Sequence, residues 1–147
     1  MDLTFDYIMQ NQGLSSETDY PYEGIERTCE LTSTPAAKIT QYEDVPANSE
    51  KDLLNAVSIQ PVSVAIEVGD AFKNYQHGIY TGDCGTNLNH GVTVIGYGTS
   101  KDGTKYWLIQ NSWGKDWGEG GYMKMQRDIG APEGLCGIAM KASYPIA

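Results

Sequence analysis

The chain has 147 residues, with 19 acidic and 10 basic side chains, a net charge of −9 and a pI near 4.5. Length and an apolar content of 40% fit one globular domain or a large piece of a two-lobed one. A domain of this size buries about 70% of its unfolded surface and needs no staples to fold. The negative charge argues against a general nucleic-acid binder and against docking on anionic lipid, since both need clustered Lys and Arg. No apolar run approaches a membrane span.

The charge is uneven. Residues 1–83 hold 14 acids and 4 bases, and residues 84–147 hold 5 acids and 6 bases. Cysteine and histidine are scarce. There are three Cys, at 29, 84 and 136, and two His, at 77 and 90. An odd count leaves at least one Cys outside any disulfide closed within the chain. The wide spacing argues against a structural zinc site, which uses close ligand pairs; no metal or cofactor is expected.

Met1 is followed by Asp2 and Leu3, not by a basic and then an apolar stretch, so these first residues do not read as a signal peptide. Leu3, Phe5, Ile8 and Met9 predict a helix over 2–12 with Gly13 as its C-cap. No capping residue precedes it, so it reads as cut rather than begun. Residues 13–37 are turn-rich. Ile39 to Val45 predicts a short strand. Ser49, Glu50, Lys51 and Asp52 read as a capping box opening a helix that Pro61 ends.

Val62, Val64, Ile66 and Val68 alternate with Ser63, Ala65 and Glu67, which predicts a half-buried strand. Further strands are predicted over 91–97, 106–110 and 122–126, separated by glycine-rich turns. The second part of the chain therefore reads as mainly antiparallel β with helices in front. That is an α+β fold.

Two strand ends carry chemistry. His90 opens one strand in Asn87-Leu88-Asn89-His90-Gly91-Val92. Taken alone it reads as a strand-end histidine held by hydrogen bonds. Asn111-Ser112-Trp113-Gly114 closes the next strand, 21 residues later. Adjacent antiparallel strands can set His90 beside Asn111, whose amide oxygen would fix the imidazole tautomer. Trp113 and Trp117 would then shield that bond. Taken alone, they read as core aromatics. His77 has no assigned role and reads as an exposed turn residue.

In family order across nearly the whole chain come Asp19-Tyr20-Pro21-Tyr22, Gln60-Pro61-Val62-Ser63-Val64, Asn89-His90-Gly91 and Gly96-Tyr97-Gly98. Asn111-Ser112-Trp113-Gly114, Trp117-Gly118-Glu119-Gly120-Gly121-Tyr122, Cys136-Gly137-Ile138 and Ser143-Tyr144-Pro145 follow. On these motifs the chain resembles the C-terminal two-thirds of a papain-like cysteine peptidase. Tyr42-Glu43-Asp44-Val45-Pro46 and Ala139-Met140-Lys141-Ala142 resemble plant members, including senescence-associated ones.

The resemblance implies a truncated papain-like fold. Residues 1–41 would be the end of the helical lobe, and 42–147 the β-rich lobe with the catalytic pair. It implies His90 as general acid and base, Asn111 as the residue that orients it, and Trp113 and Trp117 as the shield. Ala65, Leu88, Asn89 and Gly91 would line the substrate site, in a roomy apolar pocket suited to Leu, Val or Phe. Cys84 and Cys136 would form a disulfide, and Cys29 would remain unpaired. Implied partners are peptide or protein substrates, a cystatin-like inhibitor and a light chain bearing the nucleophile. The implied compartment is lysosomal, vacuolar or extracellular.

One feature departs from the pattern. In the family the nucleophilic Cys lies about 130–150 residues before the His, and that distance reaches upstream of Met1. No Cys in the chain is followed by Trp or Tyr. The nucleophile and the oxyanion Gln are therefore expected to be absent. The chain alone is expected to be inactive, either as a fragment of a cysteine endopeptidase or as a non-catalytic binder of peptides, propeptides or inhibitors.

Overall fold

A computed structural model describes residues 1–29 and 34–147. It contains two compact units, one of residues 1–43 with 145–147, the other of residues 44–144.

In the first unit, helix α1 spans Asp2–Gln10 and buries Phe5, whose ring stacks on Tyr42 at 5.5 Å between centroids. The helix ends differently from its sequence expectation. Gln12, not Gly13, takes the left-handed conformation (φ 58°). The amide of Gly13 then reaches back to the Ile8 carbonyl at 2.9 Å, and that of Gln12 to Met9 at 3.1 Å, closing a Schellman turn. Gly13 is needed for a second reason: a Cβ there would lie 2.4 Å from the Pro35 Cβ and 2.6 Å from the Ala37 carbonyl. That close approach lets Leu14 bridge Ala37. Strand β1 is Gln41–Asp44.

The second unit opens with helix α2, Glu50–Val57. Ser49 caps it: its Oγ accepts from the Asp52 amide at 3.2 Å and donates to the Asp52 carboxylate at 2.6 Å. Leu53, Ala56 and Val57 form its buried stripe. The helix stops before Pro61, which has no amide hydrogen to continue the ladder. Then come β2 (Val62–Ile66), the single turn α3 (Asp70–Lys73), β3 (Ile79–Tyr80), β4 (His90–Thr99), β5 (Lys105–Gln110), β6 (Tyr122–Gln126), a 3-10 turn at Leu135–Gly137 and β7 (Ala142–Ile146). Short helices intersperse the strands without regular β-α-β crossovers, and the central strand pairs are antiparallel, which makes the fold α+β.

The sheet order is β1-β7-β2-β4-β5-β6-β3. The central pairs are antiparallel, but β3 lies parallel to β6. Strand β3, α3 and β7 had no strand or helix prediction. The elements at 70–73 and 79–80 are too short to set up a period, and their order comes from packing of Phe72 and Tyr80 in the core. The alternation along β2 is realised from Val62 to Ile66, where Val62, Val64 and Ile66 are inaccessible to solvent, while Val68 lies beyond the strand and is half-buried. Burying each such side chain stabilises the fold by about 1.5–3 kcal/mol. Trp107, Ile109, Met123 and Met125 complete the core from β5 and β6. Among the described residues no helix is long and apolar enough to cross a membrane.

Candidate active site

The site lies in the second unit, where β4 begins and β5 ends. Val92 and Val94 of β4 and Trp107 and Ile109 of β5 share the buried face. Two residues outward along each strand, the same face presents His90 and Asn111. Thr93 pairs with Gln110, so His90 and Asn111 are diagonal neighbours across the ladder. A bulge at Ile95 shifts the register by one residue beyond Val94. It brings Tyr97 opposite Trp107 and leaves the His90 end in step.

His90 Nε2 lies 2.9 Å from Asn111 Oδ1. The same oxygen accepts from the backbone amide of Ser112 at 2.8 Å. A backbone amide only donates, so the atom between Ser112 and His90 is the amide oxygen, and Nε2 must carry the proton shared with it. The neutral imidazole therefore keeps its lone pair on Nδ1. Asn111 Nδ2 is buried without a hydrogen-bond partner. The Asn111 amide in turn donates to the Gly121 carbonyl at 3.0 Å.

Trp113 packs against His90. Its ring lies 4.9 Å from the His90 ring with a 34° tilt, and 38% of the residue remains exposed. Trp117 stands behind it, edge-on at 5.2 Å, stacked on Phe72 at 5.5 Å, with its indole N–H donated to the Lys73 carbonyl at 2.9 Å. Trp113 thus touches the imidazole, whereas Trp117 supports Trp113.

Ala65 faces Gly91 across the β2–β4 ladder, and a Cβ at Gly91 would meet nothing within 4 Å. Open space therefore lies in front of this edge. Leu88, half-buried on the lead-in, sets its Cδ2 2.8 Å from where a Gly137 Cβ would stand. The Asn89 side chain is committed to backbone: its Oδ1 accepts from the Val68 amide at 2.8 Å and its Nδ2 donates to the Val68 carbonyl at 3.2 Å. The Asn89 backbone amide donates to the Ile66 carbonyl at 3.0 Å.

Cys84 and Cys136 form a disulfide with Cα atoms 5.1 Å apart. It ties the loop before His90 to the 3-10 turn, whose Cys136 carbonyl accepts from the Glu67 amide at 2.9 Å. Glu67 Oε2 then accepts from the Asn87 amide at 2.5 Å, so the loop leading to His90 is held at both ends. Cys29, in the first unit, is free and exposed, with its sulfur 2.9 Å from the Tyr7 hydroxyl. This contact, ahead of burial, holds the Tyr7 pKa above its ordinary value. His77 is exposed. No group of three or more metal-ligating side chains occurs among the described residues.

One group with a part in the site's architecture escaped sequence reasoning. Glu119 Oε1 accepts from the Gly78 amide at 2.9 Å and lies 3.1 Å from the Tyr75 hydroxyl, and Oε2 pairs with Lys124 at 2.9 Å. The Lys124 hydrogen bond is the main reason its carboxyl pKa is lowered. Burial pushes the Tyr75 hydroxyl up to about 12. Its sequence signal was its place in the Trp117–Tyr122 motif, which assigned it no role.

A family model described as papain family cysteine protease matches residues 1–146. Vignain of Ricinus communis is 54% identical over 149 residues, which cover 99% of this chain and 41% of that protein. The senescence-specific cysteine protease SAG39 of Oryza sativa subsp. indica is 51% identical, over 100% of this chain and 44% of its own. Among solved structures, the bromelain protease of Ananas comosus in complex with the E64 inhibitor superposes with a TM-score of 0.96 and 44% identity. The match covers 99% of this chain and 68% of that one. The proform of the ragweed allergen Amb a 11 gives 0.94 and 43%, over 99% and 45%. Fold and sequence agree on a thiol-protease class of hydrolase. The chain belongs to the papain family of cysteine proteases. It spans about two fifths of the length of the curated relatives it matches.

Proposed function

We propose that the chain carries the proton-handling half of a papain-like endopeptidase site. His90 is the acid and base, and Asn111 orients it. The observation that supports this is the shared Asn111 oxygen, which takes the Ser112 amide and the His90 Nε2 proton and leaves Nδ1 for the reaction.

The chemistry needs a cysteine thiol set against Nδ1. The thiol gives its proton to Nδ1, the resulting thiolate attacks the peptide carbonyl, and the C–N bond breaks as that proton passes to the leaving amine. A water then attacks the thioester, losing a proton to Nδ1, and the C–S bond breaks to release the acid and the thiolate. Of the three Cys here, two are tied in the disulfide and Cys29 contacts Tyr7. None fills the nucleophile's place, so the chain alone gives no turnover. The nucleophile would come from a further segment or a companion light chain, and residues 1–41 would be the end of the helical lobe it belongs to.

Ala65, Leu88 and Gly91, with the Asn89 main chain, would bind the substrate residue preceding the scissile bond. The open space before Gly91 supports this. The disulfide suits an oxidising compartment, secretory, vacuolar or lysosomal.

A fluorogenic Leu-Arg or Phe-Arg peptide at pH 5–7 tests the reading. The pure chain should give no hydrolysis. Adding the Cys-bearing segment of a relative should restore thiol-sensitive hydrolysis, and restoration that survives replacement of His90 by Ala would sink the assignment.

The half-exposed Trp113 beside an open edge favours a second reading, a non-catalytic surface for peptides, propeptides or cystatin-like inhibitors. Titration with a cystatin decides it: no binding at high micromolar concentration removes it.

A further inference from the structure

We propose that Glu119 is a positioning residue for the His90–Asn111 pair, fixing the imidazole tautomer through the loop that carries Trp117 and Gly121. The inference rests on the reading of His90 as acid and base.

The loop from Ser112 to Gly121 is held by the packing of Trp113 and Trp117, by the Trp117 indole bond to the Lys73 carbonyl and by Glu119. It has little regular structure and places four glycines at positive φ: Gly114, Gly118, Gly120 and Gly121. Such a segment is costly to order unless something pins it. Glu119 supplies one such pin. Its carboxylate takes the Gly78 amide after α3 and Lys124 in β6, and shares with the Gly78 carbonyl the Tyr75 hydroxyl, which donates to that carbonyl at 2.6 Å and lies 3.1 Å from Oε1. Its own backbone bridges to Tyr122, with the Glu119 amide 2.9 Å from the Tyr122 carbonyl.

Two routes lead from the pin to the site. By the backbone, the Gly121 amide donates to the Trp117 carbonyl at 2.8 Å, and the Gly121 carbonyl accepts from the Asn111 amide at 3.0 Å. By the side chains, the Tyr75 ring lies 5.6 Å from Trp117, Trp117 lies 5.2 Å from Trp113, and Trp113 lies 4.9 Å from His90. Gly118 lets the loop close on Tyr75, since a Cβ there would lie 2.6 Å from the Tyr122 carbonyl. Glu119 touches neither His90 nor Asn111 in any of these contacts. It sets the two supports on which their geometry rests.

The test uses the whole 147-residue chain, labelled with 15N, and reads the His90 ring nitrogens by long-range proton–nitrogen correlation. A His77→Gln variant separates the two histidines. The parent should show His90 protonated on Nε2. Glu119→Ala should give a mixed tautomer, and the Trp117 indole hydrogen should exchange about tenfold faster, as expected when a charge-assisted bond is lost. Glu119→Gln, which keeps an acceptor for Gly78 and Tyr75, should restore most of the parent spectrum. A folded Glu119→Ala chain with the parent's tautomer overturns the proposal, even if its stability has fallen. Should Glu119→Ala fail to fold, Tyr75→Phe decides: it must shift the tautomer in the same direction, and an unchanged spectrum overturns the proposal. The underlying reading fails separately, in the parent, if His90 is not held as the Nε2–H form or if Asn111→Ala leaves its tautomer unchanged.

Discussion

Trp113 lies against the His90 imidazole, with ring centroids 4.9 Å apart, and the same imidazole is hydrogen-bonded to Asn111. Trp113 also meets Phe72 and Trp117 edge-on. Trp113→Ala should cost about 2 kcal/mol, less than a fully buried Trp because part of the ring is exposed. Urea unfolding of the two chains gives the difference, and a change below the error of the extrapolation would show that this packing contributes no stability.

Asn111→Ala removes the acceptor for both the Ser112 amide and His90 Nε2. An unpaired amide and a freed imidazole should cost about 1–3 kcal/mol. Asn111→Asp keeps the acceptor and should recover much of that loss. Thermal melts of the three chains check the order.

The disulfide closes a loop with a sequence separation of 52. By chain-entropy reasoning its removal should lower stability by about 4 kcal/mol. Replacing Cys84 and Cys136 by Ser and measuring the denaturation midpoint tests this. Alkylation of the native chain should label Cys29 alone, since it is the free and exposed thiol. Mass spectrometry should find a single adduct.

Two carboxylates should make opposite contributions to the pH dependence of stability. The pKa of Glu119 is lowered, chiefly by its Lys124 hydrogen bond. Its contribution is complete above the unfolded carboxylate value and is lost as pH falls through the lower folded value. The pKa of Glu50 is raised by burial, which outweighs its bonds to the Trp107 indole and the Asp128 amide. Its ionised form is therefore penalised in the fold, and the penalty is relieved as pH falls through the raised folded value. Side-chain 13C titration should put Glu50 above and Glu119 below the ordinary carboxylate range. A reversed order would contradict the burial and pairing described here.

Legibility followed the length of the pattern. β2 was readable because Val62, Val64 and Ile66 alternate, and an alternating run cannot pack well any other way. β6 was readable over its whole extent for similar reasons. Helix α2 showed through Ser49 and its spacing to Asp52. The ends were harder. Gly13 drew the helix cap one residue too far, because it serves a close backbone approach to Pro35 and Ala37 that no local pattern records. The two-residue β3 had no period to detect, and its parallel pairing with β6 depends on a partner more than 40 residues away.

The sequence by itself determined the alternation that puts residues 90 and 111 on one sheet face, and the motifs that mark the family. It also carried the odd cysteine count that leaves one thiol over. Local pattern suffices there, because strand periodicity and residue type are properties of neighbours along the chain. Only the tertiary structure decided which imidazole nitrogen holds the proton. That choice belongs to the Ser112 amide, which fixes the Asn111 oxygen. It also decided that Glu119 pins the loop behind the site, since Tyr75 and Gly78 reach it only after more than 40 residues have folded between them. The cysteines shared the same division: their number lay in the chain, but the bond between Cys84 and Cys136 exists because folding brings their Cα atoms within 5.1 Å.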